Sequence, residues 1–151
     1  DLGDQGNVIA ASGSVSVIRI SDAVAAGVEH ARTGVTRIPW RPTAAAMRPD
    51  GRLIAAASAA RTEQGAGRLM LVRFNSITGE SRIATETADG PAPAGLAFDP
   101  DGSHLAVADL VNSEAQVWRV IESGDSFGLE YTGLNVGLGD HPHAILIAPR
   151  R

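Results

Sequence analysis

The chain has 151 residues, of which 44% are hydrophobic and 20% charged, and its formal net charge is −4. These values are typical of one folded domain with a real core, and the acidic balance argues against a nucleic-acid partner, since phosphate is bound by concentrated Lys and Arg. The absence of cysteine excludes disulfides, thiolate metal sites and a Cys nucleophile, and no apolar run approaches the ~20 residues that span a bilayer, so we expect no membrane insertion.

The N-terminus suggests processing. The first residue is Asp1 rather than Met, and no signal peptide is visible after it. We interpret this as the result of removing an export signal, which favours a bacterial periplasmic or secreted location over a cytoplasmic one.

Three strands are predicted in the N-terminal part of the chain. The segment 22–34 separates the second from the third, and its spacing of Val24, Val28 and Ala31 predicts one or two helical turns. Apolar and β-branched residues concentrate in the three strands, at 7–11, 15–20 and 35–40.

A complete unit of four predicted strands follows. Its turns contain Pro49-Asp50-Gly51 and Thr78-Gly79, in which Pro presets φ and Gly supplies a positive φ. The Ala-rich second strand is predicted to be buried on both faces, and the breaker-rich segment "ADGPAPAG" at 88–95 is predicted to be a linker. The four strands are 44–48, 53–59, 69–74 and 82–87.

The next unit copies this order. Its turns contain Asp101-Gly102 and Ser123-Gly124, and a second breaker-rich segment, "NVGLGDHP" at 135–142, separates it from a last predicted strand at 144–148. The four strands are 96–98, 105–108, 115–121 and 127–134.

Internal repetition indicates the fold class. "MRPDGRLIAAAS" at 47–58 returns 51 positions later as "FDPDGSHLAVAD" at 98–109. Four short antiparallel strands in each unit of roughly 40–50 residues predict an all-β fold of β-propeller blades, whereas the β-branched strands and regular Gly/Pro breakers argue against an array of three-helix repeats. About three blades are predicted: strands two to four of blade 1 at 7–40, blade 2 at 43–88, blade 3 at 94–135, and the first strand of a further or shared blade at 141–149.

Parts of both units resemble known propellers. "GPAPAGLAFDPDGSHLAVAD" (90–109) resembles the blade motif of lactonase-type and YVTN-type bacterial β-propellers, and "DHPHAILIAP" (140–149) is similar to the first half of the next copy. "VWRV" at 117–120 is similar to the third strand of WD-repeat blades, although Arg119 stands where that family usually has Asp. The resemblance implies the propeller fold, in families that include lactonases, redox enzymes and proteins that only bind.

Three blades are fewer than the four that close the smallest ordinary propeller. We therefore expect a half propeller, or a fragment of a six- to eight-blade ring. The strand 144–148 of one copy could complete the blade begun by 7–20 of another, so that a homodimer with C2 symmetry closes a six-blade ring. The alternative is that the remaining blades lie on a companion propeller chain.

The candidate ligand-binding residues are Asp109, His141 and His143. Asp109 ends the second strand of its blade, where Ser58 stands in the preceding one, and could be an inward-facing polar group. The two histidines flank Pro142 in a linker, which would line the entrance of the central cavity or form a solvated loop. No third ligand is spaced near them, so we expect no metal site.

Other acidic and nucleophilic residues have structural interpretations. "GDSFG" at 124–128 matches G-x-S-x-G, but a strand-like sequence follows Ser126 where a nucleophile elbow needs a helix. Asp99 and Asp101 are interpreted as turn residues, because no Glu stands where a calcium loop requires one. We therefore assign no catalytic residue.

An arginine recurs at one position of the third strands, as Arg19, Arg73 and Arg119. It is interpreted as a solvated or inter-blade residue, with a ring of cations for an anionic ligand as the alternative. Trp40 and Trp118 are interpreted as packing between blades.

The expected function is that of a non-catalytic scaffold without a cofactor, which binds a ligand or protein partner through loops around the central channel. A lactonase-like hydrolase is one alternative, which needs an inward-facing His/Glu/Arg constellation. A piece of a larger or cleaved propeller, whose role is the ring itself, is another. The ligand is not identified by the fold.

Overall fold

Strands form all the regular structure that can be described. The computed structural model describes residues 7–11, 14–18, 32–37, 41–58, 67–75, 77–140, 142 and 144–147. Within these ranges there is no helix long and apolar enough to cross a membrane. The strands in chain order are β1 (Asn7–Ala11), β2 (Ser14–Ile18), β3 (Arg32–Arg37), β4 (Ala44–Met47), β5 (Leu53–Ser58), β6 (Gly67–Phe74), β7 (Ser81–Gly90), β8 (Pro93–Phe98), β9 (His104–Asp109), β10 (Glu114–Ser123) and β11 (Ser126–Gly137).

Three antiparallel sheets follow one another along the chain, and we call them blades 1, 2 and 3. Blade 1 contains β1 to β3, blade 2 contains β4 to β7, and blade 3 contains β8 to β11, each strand hydrogen-bonded to the next. Blade 2 lies between the other two, because β4 contacts β1 and β8, and β7 contacts β3 and β11. The predicted all-β architecture of four-stranded blades is confirmed.

The two Asp-Gly turns have the same hydrogen bonds and the same glycine conformation. In each turn the glycine N–H donates to the carbonyl oxygen three residues earlier, from Gly51 to Arg48 at 2.9 Å and from Gly102 to Asp99 at 3.0 Å. Both glycines lie in the left-handed region, with φ of 71° and 74°, which residues with a Cβ rarely adopt. The turn aspartate accepts the N–H two residues later, at 2.9 Å in blade 2 and 2.8 Å in blade 3.

The strands beside the breaker-rich segments are longer than predicted. β7 continues to Gly90 and β8 begins at Pro93, so only Pro91 and Ala92 remain as a linker. β11 likewise continues to Gly137. Both outer ladders contain bulges, which allow a strand to bend and continue, and proline is tolerated as the first residue of a strand.

Three other predicted elements differ from the structure or lie outside it. β3 spans Arg32–Arg37 rather than 35–40, and the predicted helical turns at 24–31 lie outside the described residues. The last predicted strand is described over 144–147, and these residues are not paired in a sheet. A blade's first strand pairs with the second strand of its own blade, and that partner strand is not among the described residues.

The blades pack face to face through two apolar layers. β5 is buried along its whole length, as predicted, because its alternating side chains enter both layers. The layer between blades 1 and 2 contains Val15, Val17, Ile54, Ala56, Met70, Val72 and Phe74. The layer between blades 2 and 3 contains Leu53, Ala55, Ala57, Leu69, Leu71, Leu96, Phe98, Leu105, Val107, Trp118 and Phe127.

Trp118 lies in the second layer, as its interpretation as a packing residue requires. Its ring is 5.3 Å from that of Tyr131, and its indole Nε1 is buried without a hydrogen-bond partner among the described atoms. Trp40 lies outside the described residues.

Candidate functional site

The blades present two ends that carry different residues. Antiparallel strands place the first turn and the last hairpin of each blade at one end, which we call the hairpin end; it includes 48–52, 77–80, 99–103 and 124–125. The middle turns and inter-blade segments lie at the opposite end, which we call the linker end; it includes 91–92, 110–113 and 138–140.

Asp109 lies at the linker end, and its side chain is 1% exposed. Its Oδ1 accepts from the Val111 N–H at 2.9 Å and the Asn112 N–H at 3.3 Å. Its Oδ2 accepts from Asn112 Nδ2 at 2.7 Å and Gln116 Nε2 at 3.4 Å. These bonds hold the turn between β9 and β10, so the buried carboxylate has a structural role. A ligand contact by Asp109 stays a prediction.

The other two predicted ligand-binding residues, His141 and His143, lie outside the described residues. Pro142 between them is half-buried. The structure therefore describes one member of the predicted group, and binding by the two histidines stays a prediction. No three His, Cys, Asp or Glu side chains converge as a metal-ligand set in the part of the chain that is described.

Ser126 begins β11 and is exposed. It pairs with Ser123 across a two-residue hairpin in which Gly124 has a φ of 58°. A strand follows the serine, whereas a nucleophile elbow places a helix there. This geometry is that of a hairpin.

A network of Asp99, Ser103 and His104 was not anticipated from the sequence. Ser103 Oγ lies 2.8 Å from His104 Nδ1 and donates to Asp99 Oδ2 at 3.0 Å, while His104 Nδ1 lies 3.1 Å from the same Asp99 oxygen. A catalytic triad uses one imidazole nitrogen for the nucleophile and the other for the carboxylate. Here both partners contact Nδ1, so the residues support the turn between β8 and β9 rather than an activated serine.

Asp101, the turn aspartate beside this network, is exposed. Hydrogen bonds from Ser103 lower the pKa of Asp101 below its usual value, since they favour the charged carboxylate. These hydrogen bonds hold the turn, and they create no reactive group.

The hairpin end contains a cleft of about 900 Å³. Blade 2 provides most of its walls, and Asp125 of blade 3 closes one side. Its charged lining consists of three arginines and two carboxylates, those of Glu80 and Asp125. The lining residues are Arg52, Arg73, Phe74, Asn75, Ile77, Gly79, Glu80, Ser81, Arg82 and Asp125.

The two described third-strand arginines have different surroundings. Arg73 reaches from blade 2 to blade 3, where its guanidinium lies 2.8 Å from Asp125 Oδ1. Arg119 lies 3.5 Å from Glu130 Oε2 on its own blade, and both side chains are exposed. Arg19 lies outside the described residues, so a ring of three cations is untested.

Arg48 also forms a charged contact between blades 2 and 3 and is only 7% exposed. Its guanidinium contacts both Asp50 carboxylate oxygens, donates to Glu122 Oε2 at 3.1 Å, and lies 5.5 Å from the centre of the Phe127 ring. The hydrogen bond to Asp50 raises the pKa of Arg48, outweighing the opposite effect of burial.

The same contact determines the ionisation of Asp50. Partial burial alone would raise the pKa of Asp50, but hydrogen bonds from the Arg48 side chain and the Arg52 N–H outweigh it, so the pKa is lowered. Arg48 and Asp50 therefore remain ionised at neutral pH, and Arg48 joins the hairpin ends of blades 2 and 3 through Glu122.

Sequence reasoning identified Arg73 but missed Arg48, Arg52 and Arg82. Arg48 and Arg52 flank the Pro49-Asp50-Gly51 turn and Arg82 lies at the start of β7, and neither pattern indicates which groups these side chains contact. The signal that could have revealed Arg82 is its position directly opposite Arg73 in the hairpin of β6 and β7.

The structure is similar to solved propeller-like proteins. A Bacteroides fragilis protein assigned as a 6-phosphogluconolactonase superposes with a TM-score of 0.69 at 16% identity, over 94% of this chain and 41% of its own. A Bacteroides uniformis protein with the same assignment has a TM-score of 0.69 at 17% identity, over 91% of this chain and 38% of its own. The Cps50 (Swd1) β-propeller domain from Myceliophteria thermophila has a TM-score of 0.55 at 11% identity, over 91% and 41%.

These similarities show the fold and do not extend to activity. The chain spans about two fifths of the length of the three proteins. No protein-family model matches the sequence, and no curated protein sequence matches it either. The described blades are thus an arc of a propeller, of the kind found in lactonase-like and WD-like structures.

Proposed function

We propose that this chain contributes three blades to a ring that further blades complete, and that the ring is a non-catalytic scaffold. A ligand or protein partner meets the loops around its central channel, at the linker end where Asp109 lies. His141 and His143, which follow the linker-end residues 138–140 in the sequence, are the other proposed contacts. The preferred source of the missing blades is a second copy of the chain, and a companion chain is the alternative.

The observation that carries the proposal is the outer face of blade 3, the face directed away from blade 2. Leu105, Val107 and Trp118 point toward blade 2, so the alternate residues of β9 and β10 point away from it. Ile121 of β10 and Val136 of β11 lie on this outer face and are 40% and 57% exposed. Large apolar side chains on an open sheet face favour a partner.

The segment 144–147 supports a further blade at this face. A Cβ on Gly95 of β8 would lie only 3.0 Å from Ala144 Cα, so this segment passes directly over β8. β8 itself passes close to β4, the first strand of blade 2. Thr43 Oγ1, just before β4, lies 3.2 Å from Pro93 O at the start of β8. Pro93 and Ala144 are separated by the repeat offset of 51 positions. Both observations support the proposal that this segment is the first strand of a further blade.

The test is the solution mass of the chain and of two matched variants. We expect the unmodified chain to sediment at twice 15.6 kDa. Ile121→Glu places a charge on the outer face and is expected to abolish association, because burying an unpaired charge is costly. Ile77→Glu is the control, since Ile77 is 94% exposed at the hairpin end and its substitution should leave the mass unchanged.

Two results distinguish the alternatives. A folded monomer that binds a hydrophobic dye would have an exposed outer face, and this result would indicate that a companion chain covers that face. A folded monomer that binds no dye would contradict the proposal, because the outer face would then need no partner. Lactone hydrolysis above background by the purified protein would contradict the non-catalytic assignment.

A further inference from the structure

Two arginines occupy directly opposed positions in blade 2. Arg73 of β6 is in register with Arg82 of β7. Residues paired in this way share one face of the sheet, and like charges directly opposite each other are destabilising. The pair is therefore unfavourable unless negative charge lies close to it.

The negative charge in the structure compensates the arginines unequally. Arg73 contacts Asp125 at 2.8 Å, and Arg52 contacts Glu122 Oε1 at 3.4 Å. Arg82 is exposed, and among the described residues no acidic group forms an ion pair with it. Among the described residues Arg82 thus has no ion-pair partner, although the exposed Glu80 lines the same cleft.

The opposed pair lines the cleft at the hairpin end together with Arg52. The volume of about 900 Å³ falls within the ~300–1,000 Å³ that is usual for small-molecule sites. Phe74 and Ile77 contribute apolar surface to the same cleft. The cleft is thus larger than a lone phosphate or carboxylate and offers contacts for an uncharged body.

We propose that this cleft binds a small organic anion through the guanidinium groups of Arg82 and Arg73. A guanidinium presents parallel N–H donors that match the two oxygens of a carboxylate or a phosphate group. Arg52 adds positive charge at the rim, and Ile77 contacts the uncharged part of the ligand. The site lies at the end opposite to Asp109, so it is independent of the ring and of the loops proposed to line its channel.

The experiment uses inorganic phosphate and citrate as probes of the two oxyanion chemistries. Each is titrated into the isotope-labelled protein, with sodium chloride at matched ionic strength as the reference. We expect saturable amide shifts at Gly79 and Ser81, which line the cleft. Saturation by citrate alone indicates a carboxylate ligand, and saturation by phosphate alone indicates a phosphate ligand; either result supports the site.

Three variants separate the proposed contact from general charge. Arg82→Gln should lower the affinity about tenfold for the probe that saturates, since a charge-assisted hydrogen bond is lost. Arg82→Lys, which retains the charge but loses the planar fork, should show a smaller loss. Arg68→Gln is the control: Arg68 is also an exposed arginine of β6, but it contacts Glu86 at 2.7 Å and lies near the opposite end of the strand.

The proposal is overturned if neither anion produces a saturable shift beyond that of sodium chloride. It is also overturned if Arg68→Gln weakens binding as much as Arg82→Gln, because the effect would then reflect net charge. Neither result depends on the solution mass, so the anion site can be disproved without affecting the proposal of a closed ring.

Discussion

Blades 2 and 3 share a repeat but differ in the chemistry of one face. In blade 2, Leu53, Leu69 and Leu71 point toward blade 3 and are fully buried. At the corresponding positions of blade 3 stand His104, Ala115 and Val117. The two blades thus share their turns and strand order, but the side chains on the face directed away from the preceding blade differ in size and polarity.

Burial differs mainly between the third strands of the two blades, because the second strand of blade 3, β9, is buried at five of its six residues. β5 is buried at every residue because blades lie on both sides of it. β10 has the same place in blade 3 as β6 in blade 2, yet its last residues, from Ile121 to Ser123, are exposed. Substitutions at matched positions of the two blades should therefore have different energetic effects.

The largest difference is expected for the matched pair Leu71→Ala and Val117→Ala. Leu71 is fully buried between blades 2 and 3, so its truncation should cost about 3 kcal/mol in the free energy of unfolding through lost transfer energy and a cavity. Val117 is half-buried on the outer face, and its truncation should cost about 1 kcal/mol. Urea denaturation followed by tryptophan fluorescence measures both at a protein concentration low enough to dissociate the proposed ring. Equal losses under that condition would contradict the open outer face of the single chain.

An intermediate difference is expected for the two turn glycines. Gly51→Ala introduces a Cβ with no atom within 4 Å, so only the left-handed φ is penalised, at about 1 kcal/mol. Gly102→Ala carries the same penalty and also places a Cβ 2.6 Å from the Arg48 Cγ, which should add about 1–2 kcal/mol by overpacking.

The glycine pair isolates the contact between blades, because the two turns are otherwise alike. The measurement is the difference in unfolding free energy between the two variants. Equal destabilisation would mean that the Arg48 side chain moves away from the turn without loss.

The smallest effect concerns the pH dependence contributed by Asp50. Partial burial opposes its ionisation, but Arg48 and the Arg52 N–H lower its pKa in the folded state. Its stabilisation is therefore present above the unfolded-state pKa, at about pH 4, and is lost as the pH falls through the folded-state value. Because the carboxylate is partly exposed, we expect a contribution under about 1 kcal/mol.

The Asp50 effect is measured as the urea midpoint between neutral pH and pH 2. Asp50→Asn should flatten the acid limb of this curve. Asp101→Asn is the matched change in blade 3, where the aspartate is fully solvated and makes no contact with Arg48; it should flatten the curve less. A larger effect at Asp101 would contradict the role assigned to Arg48.

The strands could be predicted from the sequence because their signals are local. β1 has the predicted bounds of 7–11, and the turns at Gly51 and Gly102 follow directly from the repeated Pro-Asp-Gly motif. The ends of β7 and β11 could not be predicted from the sequence, because bulges let a ladder continue through residues that usually end a strand.

The cleft could not be predicted because it depends on contacts between distant residues. Arg73 of β6 contacts Asp125 of the hairpin between β10 and β11, and no motif connects them. Arg82 becomes significant only through its register with Arg73. A signal was available for His104, which stands where the repeat has Leu53 and thereby marks the outer face of blade 3 as different.

The most direct measurement is the labelling rate of a single thiol on the outer face of blade 3. Because the chain has no cysteine, Ile121→Cys and Ile77→Cys each introduce a unique reactive site. If a further blade covers the outer face, Ile121→Cys reacts slowly at high protein concentration and faster on dilution, whereas Ile77→Cys reacts rapidly throughout. Equal, concentration-independent rates at both positions in the folded protein would contradict a covered face.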